Sequence, residues 1–231
     1  RAAGQPLHHV LLTNFRNPLQ FGPKEDLSRY PRTFDADMEI CRAAGVDVVF
    51  APTPDVVYPD GDPGVRVSAG PLGEVLEGAS RPGHFDGVLT VVGKLLHLTA
   101  ARSAYFGQKD AQQLLLIRRM VRDIDFPIDI VSVPTVREHG GLAMSSRNMY
   151  LTESDREVAL CLSRAPRAGA DAASFGPSAI RRAAREVLVE EPADFFGLVG
   201  RLRSGDVDPP HDRSARPAET LHAHLIDAHP P

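Results

Sequence analysis

Short apolar runs alternate with segments of helical periodicity through the first two thirds of the chain. From His9 to Phe15 the residues are mostly apolar or strand-tolerant and give way to Asn17-Pro18, the pattern of a strand entering a loop. Arg32 to Ala44 predicts a helix: Thr33 can cap it, Phe34, Met38 and Cys41 share a face, and Gly45 stops it. The continuous apolar run Val46 to Ala51 predicts a strand buried on both faces. Gly61 to Gly73, with a short strand around Val65 to Ser68, is an excursion from that sheet. Helix Gly87 to Ala101, strand Ser103 to Phe106, helix Ala111 to Ile124 and strand Ile128 to Val133 follow. Leu114, Ile117, Val121 and Ile124 form the apolar stripe of the second of these helices. Such alternation predicts an α/β fold, a Rossmann-like doubly wound parallel sheet.

After Asn148 the character changes. Thr152-Glu153-Ser154-Asp155 has the form of a capping box, and Ser178 to Glu191 is a second helix rich in alanine and arginine. The expected division is therefore a domain over 1–136 and a small C-terminal domain over 137–231. From Gly200 periodicity fades, apart from a strand around Leu221 to Ile226, and the tail is expected to be poorly ordered.

Composition narrows the function classes. The 231 residues and 25.0 kDa suffice for a full core, and a formal net charge of -4 supplies no general attraction for nucleic acid. No apolar run is long enough for a membrane helix, which makes the cytoplasm the expected location. Cys41 and Cys161 stand alone, without zinc-ligand spacing, and read as buried thiols. His222 and His224 would share a strand face but lack a third metal ligand. There is no GxGxxG after the first strand, no GxxxxGK[ST] and no GxSxG, which argues against dinucleotide, P-loop and hydrolase chemistry. The chain starts at Arg1 rather than Met, a sign of processing, cloning or truncation.

Three polar segments follow strand ends, where ligands sit in open α/β sheets: Asn17 to Phe21, Gly107 to Asp110, and Thr135 to Asn148. Lys109 is the phosphate candidate, set after Gly107 at a strand-to-helix turn; a solvated surface lysine is the alternative. Ser145, Ser146 and Arg147 offer donors matched to phosphate oxygens, or form a polar helix-entry turn. Asp110 either meets magnesium through water or caps the following helix. Gln20 and Gln113 suit a hydroxylated carboxylate, since each donates and accepts without adding charge. Glu77 to Phe85 would close over a ligand, form a subunit contact, or simply connect.

The segments NPLQFGPKEDLSRYPRT (17 to 33), GVDVVFAP (45 to 52), LEGASRPGHFDGV (76 to 88), AYFGQKDAQQL (104 to 114), IRRMVRD (117 to 123) and VPTVREHGGLAMSSRNMYL (133 to 151) together resemble the pantothenate synthetase, or pantoate:beta-alanine ligase, family. The resemblance runs from Leu7 to Leu198. It implies a nucleotidyltransferase-type Rossmann domain with a C-terminal α+β lid, usually in a homodimer. It also implies a two-step reaction: ATP and pantoate give pantoyl adenylate and magnesium pyrophosphate, then the beta-alanine amine displaces AMP. Neither a tightly bound organic cofactor nor a protein-held metal is implied.

Carried onto matching positions, the resemblance assigns pantoate to Gln20 and Gln113, with Asn17 shaping the pocket and Gln20 also near beta-alanine. ATP falls to Gly107, Gln108, Lys109, Asp110, Val136 through its backbone, Met144, Ser145, Ser146 and Arg147. Lys109 and Arg147 are the charge stabilisers. The family's PTMGALHxGH motif, whose histidines contact ATP phosphates, is not in this sequence, and His8-His9 lacks its glycine turn. Arg16 stands where a small or apolar residue is usual, Pro166 interrupts a helix, and only Leu225-Ile226-Asp227 resembles the family's last strands. The chain as written is therefore expected to form the adenylate slowly or not at all while retaining weak ATP binding. The alternatives are a homologue that only binds ATP or pantoate or pairs with an intact subunit, and an incomplete chain.

Overall fold

The computed structural model describes residues 9–20, 34–190 and 224–228, which form two compact units. The first runs to Pro134 and takes in the final strand; the second begins at Thr135. In chain order the first unit contains β1 (His9–Thr13), α1 (Phe34–Ala44), β2 (Val48–Phe50), α2 (Pro54–Val57), α3 (Glu77–Ser80), α4 (His84–Thr99), β3 (Ala101–Gly107), α5 (Ala111–Asp123), β4 (Asp129–Val133) and β5 (His224–Ala228).

These strands make one sheet in the order β2-β1-β5-β3-β4. β1 pairs parallel with β2 and β3 parallel with β4, each pair joined through a helix, which is the β-α-β arrangement the alternation predicts. β5 is antiparallel to both β1 and β3, with Ile226 opposite Leu11 on one side and Ala104 on the other. The strand expected near Leu221 to Ile226 thus lies in the sheet of the first unit, although the expected division assigned it to the C-terminal domain. Thr33, His222 and the segment 191–223 lie outside the described residues.

α4 carries the core. Its Phe85, Val88, Leu89, Val91, Val92, Leu95 and Leu96 are buried, and they share a cluster with Ala104 and Phe106 of β3 and Leu114, Leu116, Ile117 and Met120 of α5. With most of its circumference apolar, this helix is covered on several sides. Ile124 falls off the expected α5 stripe because it caps that helix and is 54% exposed. β2 corrects the expectation of a strand buried on both faces. It is the edge strand, and Val48 is half exposed. Nor is Val65 to Ser68 a strand. The chain there is stitched to α4 by side chains: Val67 N donates to Thr90 Oγ1 at 3.0 Å and Ala69 N to Asp86 Oδ1 at 2.7 Å.

The second unit, by itself, contains α6 (Glu153–Ala159), α7 (Cys161–Asp171) and α8 (Pro177–Glu190). Thr152 and Asp155 form the capping box of α6. Leu142, Val158, Ala159 and Cys161 make its core, with Val187 and Leu188 packed against them. Pro166 lies inside α7, where it removes one backbone donor without ending the helix.

Candidate functional site

Because β1 and β3 both run antiparallel to β5, they run parallel to each other, so their C-terminal ends lie on the same edge. β2 and β4 end there too. β1 connects outward to β2 and β3 outward to β4, which puts a topological switch point between the loops after β1 and β3. With β5 between them, these strand ends stand about 10 Å apart.

The loop after β1 is organised around Asn17, 1% exposed. Its Nδ2 donates to the Gly87 carbonyl at 3.0 Å and to Gln20 Oε1 at 3.4 Å. Its Oδ1 accepts from Tyr58 Oη at 2.9 Å and from Leu19 N at 3.3 Å. A buried amide bonded at both ends costs nothing in unmet desolvation and sets the loop in one conformation. Burial, more than the opposed charges of Arg66 and Asp62, pushes the Tyr58 hydroxyl up to about 12, so it is a proton donor throughout the neutral range. α4 approaches closely at Gly87, where a Cβ would lie 2.3 Å from the Leu19 carbonyl oxygen and 2.9 Å from Gln20 N. Asn14, at the loop's start, donates to Asp37 Oδ2 at 3.2 Å.

The turn after β3 is built differently. Gln108 N donates to the Val133 carbonyl at 2.8 Å, which extends the β3–β4 ladder to the sheet edge. Gly107, Gln108 and Lys109 are exposed, and a Cβ at Gly107 would meet open space. Lys109 Nζ lies 3.2 Å from Asp110 Oδ1. Asp110 occupies the N-cap position of α5, yet its side chain makes no cap bond. The cap alternative is therefore set aside, and the first-turn N–H groups of α5 face this turn with the helix dipole behind them. Gln113 is half-buried on the first turn of that helix.

Its neighbour Gln112 has a role that the sequence did not suggest. Nε2 donates to the carbonyls of Leu72 at 3.0 Å and Val75 at 2.8 Å, and Oε1 accepts from Glu77 N at 3.0 Å. The glycine-bearing stretch before α3 is thereby stapled to α5. Beyond it, Glu77 to Phe85 folds as α3 and a turn closed by the Arg81–Glu77 ion pair at 2.8 Å.

In the second unit, Val136 and Met144 face each other across a hairpin: Met144 N donates to the Val136 carbonyl at 3.0 Å, and Arg137 bridges to Ala143. Ser145 caps the following 3-10 turn, its Oγ accepting from Arg147 N at 3.3 Å. Asn148 is the buried anchor, donating to Glu138 Oε1 at 2.6 Å and to the Ala143 carbonyl at 2.9 Å, while Arg156 pairs with Glu138. Arg147 stays exposed at the surface of this turn. The polar-turn alternative for Ser145 thus describes its local bonding. It leaves the Arg147 guanidinium on the surface.

Among the described residues, no three His, Cys, Asp or Glu side chains gather as a metal site, and no helix is long and apolar enough to cross a membrane. Cys41 and Cys161 are buried free thiols.

A family model described as Pantoate-beta-alanine ligase matches residues 1–227. A pantothenate synthetase of Streptomyces avermitilis is 60% identical over 196 residues, which are 84% of this chain and 59% of that protein. One of Salinispora arenicola is 63% identical over 179 residues, 78% of this chain and 64% of that one. The chain thus spans about six tenths of the length of these relatives. Among solved structures, pantothenate synthetase from Thermus thermophilus superposes with a TM-score of 0.76 at 50% identity, covering 80% of this chain and 67% of that one. A pantoate-beta-alanine ligase from Francisella tularensis, solved with beta-gamma ATP and beta-alanine, gives a TM-score of 0.63 at 41% identity over 68% of this chain and 60% of that one. With a sheet of the nucleotidyltransferase type and a match over nearly its whole length, the chain belongs to the pantoate-beta-alanine ligase family.

Proposed function

We propose that this chain serves the ATP-dependent condensation of (R)-pantoate with beta-alanine to pantothenate, through a pantoyl adenylate and with release of AMP and diphosphate. The observation that carries this reading is the sheet edge of a family member on which an uncharged amide loop and a lysine-bearing turn open about 10 Å apart. A span of that size leaves room for an acid and a polyphosphate side by side, with the carboxylate brought to about 3 Å from the α-phosphorus.

Gln20 and Gln113 hold the pantoate, in a pocket shaped by Asn17, with hydrogen bonds that leave its carboxylate nucleophilic. Gln20 also meets beta-alanine. Gly107 and Gln108 approach the nucleotide, and Lys109 neutralises charge on the departing diphosphate. From the second unit, Val136 meets ATP through its backbone, with Met144, the Ser145 and Ser146 hydroxyls, and Arg147 as a second cation. Magnesium arrives with ATP; Asp110, whose carboxylate is not used as a helix cap, meets it through water. Catalysis is then mainly positioning and charge stabilisation. The proposal includes a homodimer in the cytoplasm. Leu72, Val75 and Leu76, exposed on the segment that Gln112 holds still, offer an apolar surface for association.

The test is pantoate-dependent exchange of labelled pyrophosphate into ATP. Slow exchange that appears only with pantoate supports the reading; exchange indifferent to pantoate overturns it, and no exchange with ATP still bound selects the homologue that only binds. Calorimetry tests the ATP roles separately. Lys109→Ala and Arg147→Ala are each expected to weaken ATP about tenfold, and identical affinities would remove both residues from the site.

A further inference from the structure

At the first residue of α4, His84 is 8% exposed and is bonded on both ring nitrogens. Nδ1 lies 2.8 Å from the Gln20 carbonyl oxygen, and Nε2 lies 2.9 Å from Arg81 Nη1. A carbonyl only accepts and a guanidinium only donates, so a neutral ring fits both in one tautomer, with the proton on Nδ1 and a lone pair on Nε2. Arg81 is held in turn by Glu77 Oε1 at 2.8 Å, and its Nη2 reaches the same Gln20 carbonyl at 3.4 Å. The Phe85 ring meets the imidazole edge-on at 4.9 Å between centroids, which fixes the ring plane.

All of this converges on one peptide unit. The Gln20 carbonyl takes His84 and Arg81, while Gln20 N donates back to the Asn17 carbonyl at 3.4 Å. Gln20 is therefore pinned at both backbone polar groups, one by its own loop and one by a cluster 64 residues away in sequence. A side-chain amide reads a hydroxylated acid accurately only if its backbone does not move, because small displacements forfeit hydrogen-bond alignment.

We propose that His84 is a positioning residue for the acid-binding glutamine. It donates Nδ1–H to the Gln20 carbonyl, accepts from Arg81 at Nε2, and so fixes the main chain from which the Gln20 amide reaches pantoate. The inference rests on the assignment of Gln20 to pantoate and acts through Gln20, not on the reacting atoms.

Calorimetric titration of the full chain with (R)-pantoate, and separately with ATP, tests it with His84→Ala, His84→Asn and Gln20→Ala, alongside nitrogen NMR of the wild-type imidazole. His84→Ala is expected to weaken pantoate about tenfold and leave ATP within about twofold. His84→Asn, whose Nδ2 can donate from near the position of Nδ1, is expected to stay within about threefold for pantoate. The wild-type ring is expected to carry its proton on Nδ1. Unchanged pantoate affinity in His84→Ala, with Gln20→Ala weakened, overturns the positioning role and leaves the proposed function standing. Unchanged affinity in Gln20→Ala, or no pantoate binding by the wild type, overturns the Gln20 assignment and the inference with it. If His84→Ala fails to fold, a ring protonated on Nε2, or a His84→Asn variant as weak as Gln20→Ala, overturns it.

Discussion

Asn17 and Lys109 stand in comparable places, each just past the end of a strand on the same sheet edge, and their surroundings are opposite. Asn17 is 1% exposed, and its amide is bonded to Gly87, Gln20, Tyr58 and Leu19. Lys109 is exposed and pairs with its neighbour Asp110, beside a glycine with open space around it. Under the proposed roles, the difference follows from what each would recognise. An uncharged acid-binding pocket gains its selectivity from fixed geometry and so has to be built into the core. A polyphosphate is met by charge, which acts over distance and tolerates a mobile cation. One loop is part of the fold's stability and the other is nearly independent of it.

That contrast is open to attack by substitution, and unfolding free energies should rank accordingly. Asn17→Ala orphans the Tyr58 hydroxyl in the core and removes the side-chain partner of the Gly87 carbonyl, and should cost about 3 kcal/mol in a urea titration. A loss near zero would break the comparison at its stronger end. Gly87→Ala forces its methyl against the Leu19 carbonyl and should cost about 2 kcal/mol, with weakened pantoate binding as the loop shifts.

The Tyr58 hydroxyl gives a pH signature of the buried side. Its folded value of about 12 lies above the ordinary phenol value near 10. The unfolded chain therefore gives up this proton first as pH rises. The contribution, about 2 kcal/mol, is complete below about pH 10 and disappears between about pH 10 and 12. Alkaline unfolding of Tyr58→Phe, which has no phenol to ionise, should lack that step. Lys109→Ala should move stability by less than about 0.5 kcal/mol while ATP affinity falls about tenfold. A large loss of stability there would show that the phosphate-side turn is also structural.

How much of this was legible in the sequence depends on distance along the chain. The β-α-β order, the capping box at Thr152 and the positions of Gln20, Lys109 and Ser145 after strands or before turns are local patterns, and local patterns can be read. Tyr58, His84 and Gly87 could not be assigned. Their meaning lies in contacts with Asn17 and Gln20, which are 41, 64 and 70 residues away. Gln112 gave only the weak signal of a second glutamine beside Gln113, and its bonds to Leu72, Val75 and Glu77 appear only once α5 is folded against that stretch. The buried-strand expectation for Val46 to Ala51 failed for a related reason. Apolar composition reports that a strand can be covered, whereas strand order decides whether it is.

The antiparallel strand β5 bears on when this sheet comes into being. It supplies the only ladder between the β1–β2 and β3–β4 halves among the described residues, and its register joins Leu11 to Ile226, nearly the full chain apart. Two locally connected half-sheets can gather early, but closing the seam between them means ordering most of the intervening chain, an entropic cost that slows folding. In pulse-labelled hydrogen exchange, amides bridging β1 to β5 and β5 to β3 should become protected together, after those of the flanking pairs. On a ribosome, the two loops that flank the switch point would stay unregistered with each other until β5 had emerged.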